Sequence, residues 1–291
     1  MTTKIEWAKE TWNPITGCTK ISEGCQNCYA ERMAKRLAGR FGYPADDPFK
    51  PGTFHADKLQ EPLKWKRPRK VFVCSMGDIL HDKVDGSDLV KVFDVMVKCP
   101  QHTFIILTKR ADRLAWFNLN GPLIGKEPLP NLWLGVTAEN QRTADERIPH
   151  LLRTEAVVKL VSVEPMLEAM DISYWLNGAP RLCGYDRWEQ THPPLDWCVV
   201  GGETGPGARP MRPEWAESLR NQCNMAGVPF FFKSWGNWVA PSQMPLGTYR
   251  EIEDFGDGIG ISDNPLGVGK KRSGRLLDGR EWNEYPEVDQ H

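Results

Sequence analysis

The amino-acid sequence predicts an α/β protein: a partial or near-complete (β/α) barrel of the TIM type, with a small β appendage at the C-terminus. Three observations predict it. Seven short runs, apolar throughout rather than alternating, are separated by amphipathic segments, the pattern of a parallel sheet covered on both faces. Each run ends in polar or charged residues, and barrel sites gather where the carboxyl ends of parallel strands converge. The length, 291 residues, suits one such barrel.

The first run, Thr11 to Ile15, is broken by Pro14 and Gly17 and so leads into a loop. That loop carries Cys18, Cys25 and Cys28, with six residues between the first two and two between the second pair. Thiols this close more often bind a metal or an iron–sulfur cluster than form disulfides when no secretory signal is present. The N-terminal MTTKIEWAKE is too polar for such a signal. A closed zinc site needs four protein ligands and an electron-transfer cluster usually takes four thiolates. Three thiolates would leave one iron of a [4Fe–4S] cluster free to hold a substrate or cosubstrate. Two other readings stay open: a zinc site completed by His55 or His81, and unreactive buried thiols. The other five cysteines (Cys74, Cys99, Cys183, Cys198, Cys223) are scattered, mostly in apolar runs, as core thiols are.

From Cys28 onward the sequence predicts a helix. Tyr29, Met33 and Leu37 recur at i, i+4 and i+8 beside Ala30 and Ala34, and Gly39 suits its C-cap. Phe41 to Arg69 is polar and rich in proline, an excursion over the barrel rim. The WKRPRK run of Trp65 to Lys70 suits either phosphate contacts or a solvated face.

The second strand is Lys70 to Cys74, and Asp88 to Cys99 its helix, with Ser87 as N-cap. Thr103 to Leu107 follows, with a helix over Ala111 to Leu119. Leu132 to Val136 precedes a helix over Gln141 to Leu152 that contains Pro149. Val157 to Val163 is the fifth strand and Trp197 to Val200 the sixth. Pro213 opens the next helix, which stops at Gly227. Val228 to Phe232 is the seventh strand. The barrel then occupies 1–236, with the excursion at 41–69, and an extension packs on it over 237–291. In that extension Asp278 and Gly279 signal a hairpin.

The strand ends supply Asp78 and His81, Thr108 to Arg110, Thr137 and Glu139, Ser162 and Glu164, Glu203, and Lys233. Gly201 to Met211, GGETGPGARPM, permits close backbone approach to a ligand but lacks the spacing of a phosphate or dinucleotide loop. The net charge of −1 leaves no global footprint for nucleic acid or an anionic membrane. No apolar run approaches the ~20 residues that span a bilayer, so a cytoplasmic protein with no membrane partner is expected. Twelve tryptophans is a high count, and the sequence assigns few of them a place.

The motifs TWNPITGC, GCQNCYAERMA, SMGDILH, LTKR, LGVTAEN, VSVEPML, VVGGETGPGARPM, FFFKSWG and GKKRSGRLLDGREW carry a resemblance over nearly the whole chain. The sequence resembles the phage-associated three-cysteine-motif proteins, a family of unknown function related to the radical SAM enzymes. The resemblance implies a barrel of the radical SAM kind, with a [4Fe–4S] cluster on Cys18, Cys25 and Cys28. S-adenosylmethionine on the fourth iron would be reductively cleaved to a 5′-deoxyadenosyl radical, with electrons from a flavodoxin- or ferredoxin-type donor. In that frame Tyr29 replaces the aromatic residue usual just before the third cysteine, where this chain has Asn27. Met76, Gly77 and Asp78 hold the place of the ammonium-binding motif, and Arg209 or Lys109 matches the methionine carboxylate. Thr137, Glu139 and Ser162 complete the expected cosubstrate contacts. Lys109, Glu164, Glu203 and Lys233 are the candidate catalytic residues. A nucleotide or nucleic-acid base is the suggested substrate. The competing expectation is a zinc-stabilised nucleic-acid-binding or interaction protein.

Overall fold

In the computed structural model, which describes residue 3 and residues 5–114, 128–178, 194–244 and 264–287, seven parallel strands pair in chain order into one curled half-barrel sheet. They are β1 (Glu10–Trp12), β2 (Lys70–Val73), β3 (Thr103–Thr108), β4 (Leu132–Thr137), β5 (Val158–Val163), β6 (Trp197–Gly201) and β7 (Phe230–Ser234). Helices α1 (Tyr29–Leu37), α2 (Gly86–Lys98), α3 (Gln141–Leu152) and α4 (Pro213–Ala226) fill four of the crossovers. Among the described residues no helix is long and apolar enough to cross a membrane.

Local chemistry explains where the elements start and stop. The first predicted strand divides: Glu10–Trp12 joins the barrel, whereas Ile15–Thr16 pairs with Thr53–Phe54 of the excursion. The seventh begins two residues later than Val228, because Pro229 has no N–H to give the ladder, and it runs on through Ser234, which pairs with Gly201. The cap of α2 is Asp85 and not Ser87; its carboxylate accepts the Ser87 N–H at 2.7 Å. Gly227 ends α4 in the left-handed conformation, φ 68°. The helix expected over Ala111 to Leu119 lies beyond the described residues after 114, as does Cys183.

Alternate residues of the strands enter two different cores. One set, with Phe104, Ile106, Val136, Val161, Val200 and Phe232, packs under the helices. The other faces the barrel interior, where Trp7, Trp133, Trp197 and Phe231 form an aromatic plug with Phe72 and Tyr285 beside it. Trp197 sits at the centre, with ring centroids 6.3 Å from Trp7, 5.7 Å from Trp133 and 5.1 Å from Tyr285. Several of the unplaced tryptophans thus have a place: they fill the barrel below the strand ends.

Gly135 of β4 belongs to this interior. A β-carbon there would stand 2.6 Å from Leu160 Cγ and 2.7 Å from Leu107 Cδ2, so the glycine lets these two leucines meet across the strand. Gly135→Ala is expected to cost about 1–3 kcal/mol through overpacking, read as a lower urea midpoint with an unchanged slope.

The tail returns to the barrel. Asp278 and Gly279 both take positive φ and turn a bridge between Leu277 and Arg280. Residues beyond it cover the outer edge of β7: the Phe232 N–H donates to Trp282 O at 3.0 Å, and Phe231 bridges Asn283 antiparallel. An otherwise open strand edge is thereby shielded.

Candidate functional site

The cysteine loop follows from a backbone crossing that only glycine permits. Gly17 has φ 86°, and a β-carbon on it would lie 1.8 Å from Lys50 O. Its N–H donates to Met76 O at 3.0 Å, and the next residue's N–H donates to Phe49 O at 3.2 Å. The loop is therefore laced to the strand-end turn after β2 and to the excursion. Cys25 ends the short 3-10 turn Glu23–Cys25, and Cys28 sits at the N-cap of α1. The Tyr29 hydroxyl donates to Ser75 O.

Three carboxylate–arginine pairs, each from a different strand end, grip this loop. After β2 and β3, Asp78 accepts from the Thr108 hydroxyl (2.9 Å), the Lys109 N–H (3.2 Å) and Arg110 (3.3 Å). Arg110 also donates to Thr19 O (3.1 Å), Thr19 Oγ1 (2.7 Å) and the Cys18 sulfur (3.2 Å). After β4, the wholly buried Glu139 accepts from Arg147 at 2.9 Å and from the Gly24 N–H at 3.3 Å. A capping box between Asn140 and Thr143 fixes the chain here, and Thr143 Oγ1 accepts the Glu139 N–H at 3.1 Å. After β6, Glu203 takes Arg209 through both oxygens (2.7 and 2.9 Å) and Asn27 at 3.1 Å. Arg209 in turn donates to Glu23 O at 3.0 Å and Gln26 Oε1 at 3.3 Å.

The electrostatics follow from these contacts. Burial, then the Asp78 carboxylate, push the Cys18 thiol up to about 11 against the opposing pull of Arg110. Burial works against ionised Glu139, yet Ser22, Arg147, Lys109 and the Gly24 N–H together hold its carboxyl below the ordinary value. Glu203 is likewise held low, the Arg209 and Asn27 hydrogen bonds outweighing its burial.

All three cysteines line one cavity of about 350 Å³ at the strand ends. Tyr29, Gly77 and Asp78 share its wall, as do Lys109, Thr137 and Ser162. Glu164 and Lys233 close its far side as an ion pair, 2.7 Å between Nζ and Oε2. Burial opposes the charge on Lys233, but the Glu164 carboxylate beside it raises its pKa overall. Four of the sequence candidates lie elsewhere. Met76 packs with Ala30, Ala34 and Tyr43, while Glu139, Glu203 and Arg209 turn their polar groups to the cysteine loop.

Arg147 and Asn27 were not among the sequence candidates for the site, nor was Lys270, which reaches the cavity from the tail, and Arg110 figured only within the strand-end run Thr108 to Arg110. Only Arg110 carried a signal, standing at the end of the LTKR strand. The two histidines considered as completing a zinc site bond to threonines: His55 with Thr16 at 2.8 Å, His81 with Thr19 at 2.9 Å. Among the described residues no three His, Cys, Asp or Glu side chains stand close enough together to hold a single metal ion.

A protein-family model described as "Protein of unknown function (DUF5131)" matches residues 2–286. No curated protein and no solved structure matches the chain.

Proposed function

The chain belongs to the DUF5131 family of proteins of unknown function, and from that premise we propose that it is an iron–sulfur enzyme of the radical SAM kind. The observation that carries the reading is the cysteine loop: three thiols lining one cavity at the strand ends. Thiols that share a wall yet do not converge on one ion suit a polynuclear group. Cys18, Cys25 and Cys28 would hold a [4Fe–4S] cluster with one iron open. Bound there, the cluster would supply the one-electron reductive cleavage of S-adenosylmethionine, drawing on a flavodoxin- or ferredoxin-type donor.

The chain's own residues do the rest. The three ion pairs hold the loop in place before anything binds, so little ordering entropy is spent on binding. Lys109, whose ammonium has no hydrogen bond among the described residues, faces the cavity and suits the methionine carboxylate. Arg209 is already spent on Glu203 and the loop. Asp78 acts through Arg110 on Cys18 and Thr19, since its oxygens accept from four groups of its own surroundings. Lys233 holds a proton at Nζ, kept there by Glu164.

Purification without oxygen, reconstitution, and joint assay of iron, sulfide and zinc test the reading. About four irons per chain with matching sulfide, followed by 5′-deoxyadenosine release from S-adenosylmethionine under reduction, is the expected result. One tightly held zinc with no iron would overturn it in favour of a zinc-stabilised binding protein.

A further inference from the structure

The far side of the cavity holds polar atoms for which the fold provides nothing. Trp7 and Ser162 are 2 % and 1 % exposed and both line the cavity. Neither the indole Nε1–H nor the serine hydroxyl has a hydrogen-bond partner among the described residues. Glu164 spends Oε2 on Lys233, and its buried Oε1 has no partner among the described residues. Behind the wall, Glu6 repeats the arrangement: Oε1 meets the cavity-lining Lys270 at 2.9 Å, and Oε2 is buried without a partner among the described residues. Its carboxylate also acts on Lys233, which joins the two pairs into one cluster.

Buried polar groups are nearly always paired, and each exception costs roughly 1–3 kcal/mol. Three orphans on the wall of one cavity, from Trp7, Ser162 and Glu164, are a built site. The Glu164 oxygen accepts, the indole N–H donates, and the serine does either. The charges cancel locally, Glu6 and Glu164 against Lys233 and Lys270. Beside these four groups a net charge on the ligand would lack a counter-charge, and in protein free of cluster and cosubstrate the volume admits one nucleoside- or sugar-sized molecule.

We propose that Trp7, Ser162 and Glu164 form a subsite for a neutral small molecule, with an N–H or O–H group that donates to the unpaired Glu164 oxygen, and that Glu6 acts on it only through Lys270 and Lys233. That this molecule is the substrate rests on the radical reading; the subsite does not. Two sources share the chemistry, a nucleoside with its amino and hydroxyl groups or a free sugar or polyol.

The test uses full-length, metal-free protein and calorimetric titration with adenosine, guanosine and cytidine in one arm, and ribose, glucose and inositol in the other. Ser162→Ala removes a hydroxyl that has no native partner, so its Tm should not fall. Its affinity for the bound probe should drop about tenfold, as should that of Trp7→Phe. Binding in either arm with that loss supports the subsite and names the source. No binding in both arms, or binding unchanged in both variants, overturns it. Iron assay of the same preparations separates the two proposals: protein that loads iron but binds no probe loses the subsite alone. Protein that binds a probe but loads no iron loses the radical reading alone.

Discussion

Replacing any one of Cys18, Cys25 and Cys28 with alanine is expected to empty the site, taking iron from about four per chain to near zero after anaerobic reconstitution. The size of the effect comes from the ligand count. Three protein thiolates would hold the cluster, and the carboxylate that acts on Cys18, Asp78, is already engaged by Thr108, Lys109 and Arg110, so it is poorly placed to take over. Cys223→Ala is the informative control. Cys223 lies on the buried face of α4, so its loss should lower stability modestly and leave iron loading intact. Full iron in a Cys25→Ala protein would sink the assignment. The metal-free Tm of the three loop variants should stay close to that of the parent, because their thiols are only partly buried and the loop is held by its ion pairs.

Arg147→Ala should be the most destabilising of the single changes considered. It leaves Glu139, 0 % exposed, without its guanidinium, and removal of one partner from a buried pair costs about 3–5 kcal/mol. In a chain of this size that is a fall in Tm of roughly 10 °C, read by calorimetry on metal-free protein. Arg147→Lys should recover only part of it, since one ammonium poorly replaces the planar donor that serves both Thr137 O (2.7 Å) and Glu139. A change below 1 kcal/mol would show that Glu139 is not held as described. The pair also sets a pH dependence. Glu139 is held below its ordinary value of 4.5, so its contribution is complete above that value and is lost as pH falls through the depressed one. The stability gap between parent and Glu139→Gln should narrow on acidification in that window and stay constant from pH 6 to 8.

Much of the fold could be read from the sequence because its strands are buried on both faces. Such strands appear as continuous apolar runs, and TFIIL, LWLGV and VVKLVSV sit where β3, β4 and β5 do. The same property hid the interior. When both faces are apolar, periodicity does not tell which residues point into the barrel, so the plug of Trp133, Trp197 and Phe231 was not foreseen. The cavity wall was legible wherever a candidate stood directly at a strand end: Lys109, Thr137, Ser162, Glu164 and Lys233. Residues a little further into the loops, Glu139, Glu203 and Arg209, were expected at the cosubstrate or substrate, and their polar groups bond to the cysteine loop. Their partners fix that outcome, and a partner such as Arg147 or Asn27 reaches them only through the three-dimensional path of the chain.

The aromatic plug bears on how the molecule comes to be folded. Trp7 and Tyr285 both pack on Trp197, so the barrel floor is assembled from opposite ends of the described chain. Once β6 has been made, Trp7 is already available to Trp197 but Tyr285 is still to come, so the concave side of the sheet would lack its last ring. Closure of such a distant contact is slow relative to local pairing. The half-barrel should therefore pass through a stage with an exposed aromatic floor, vulnerable to aggregation until the last strand-like segment docks.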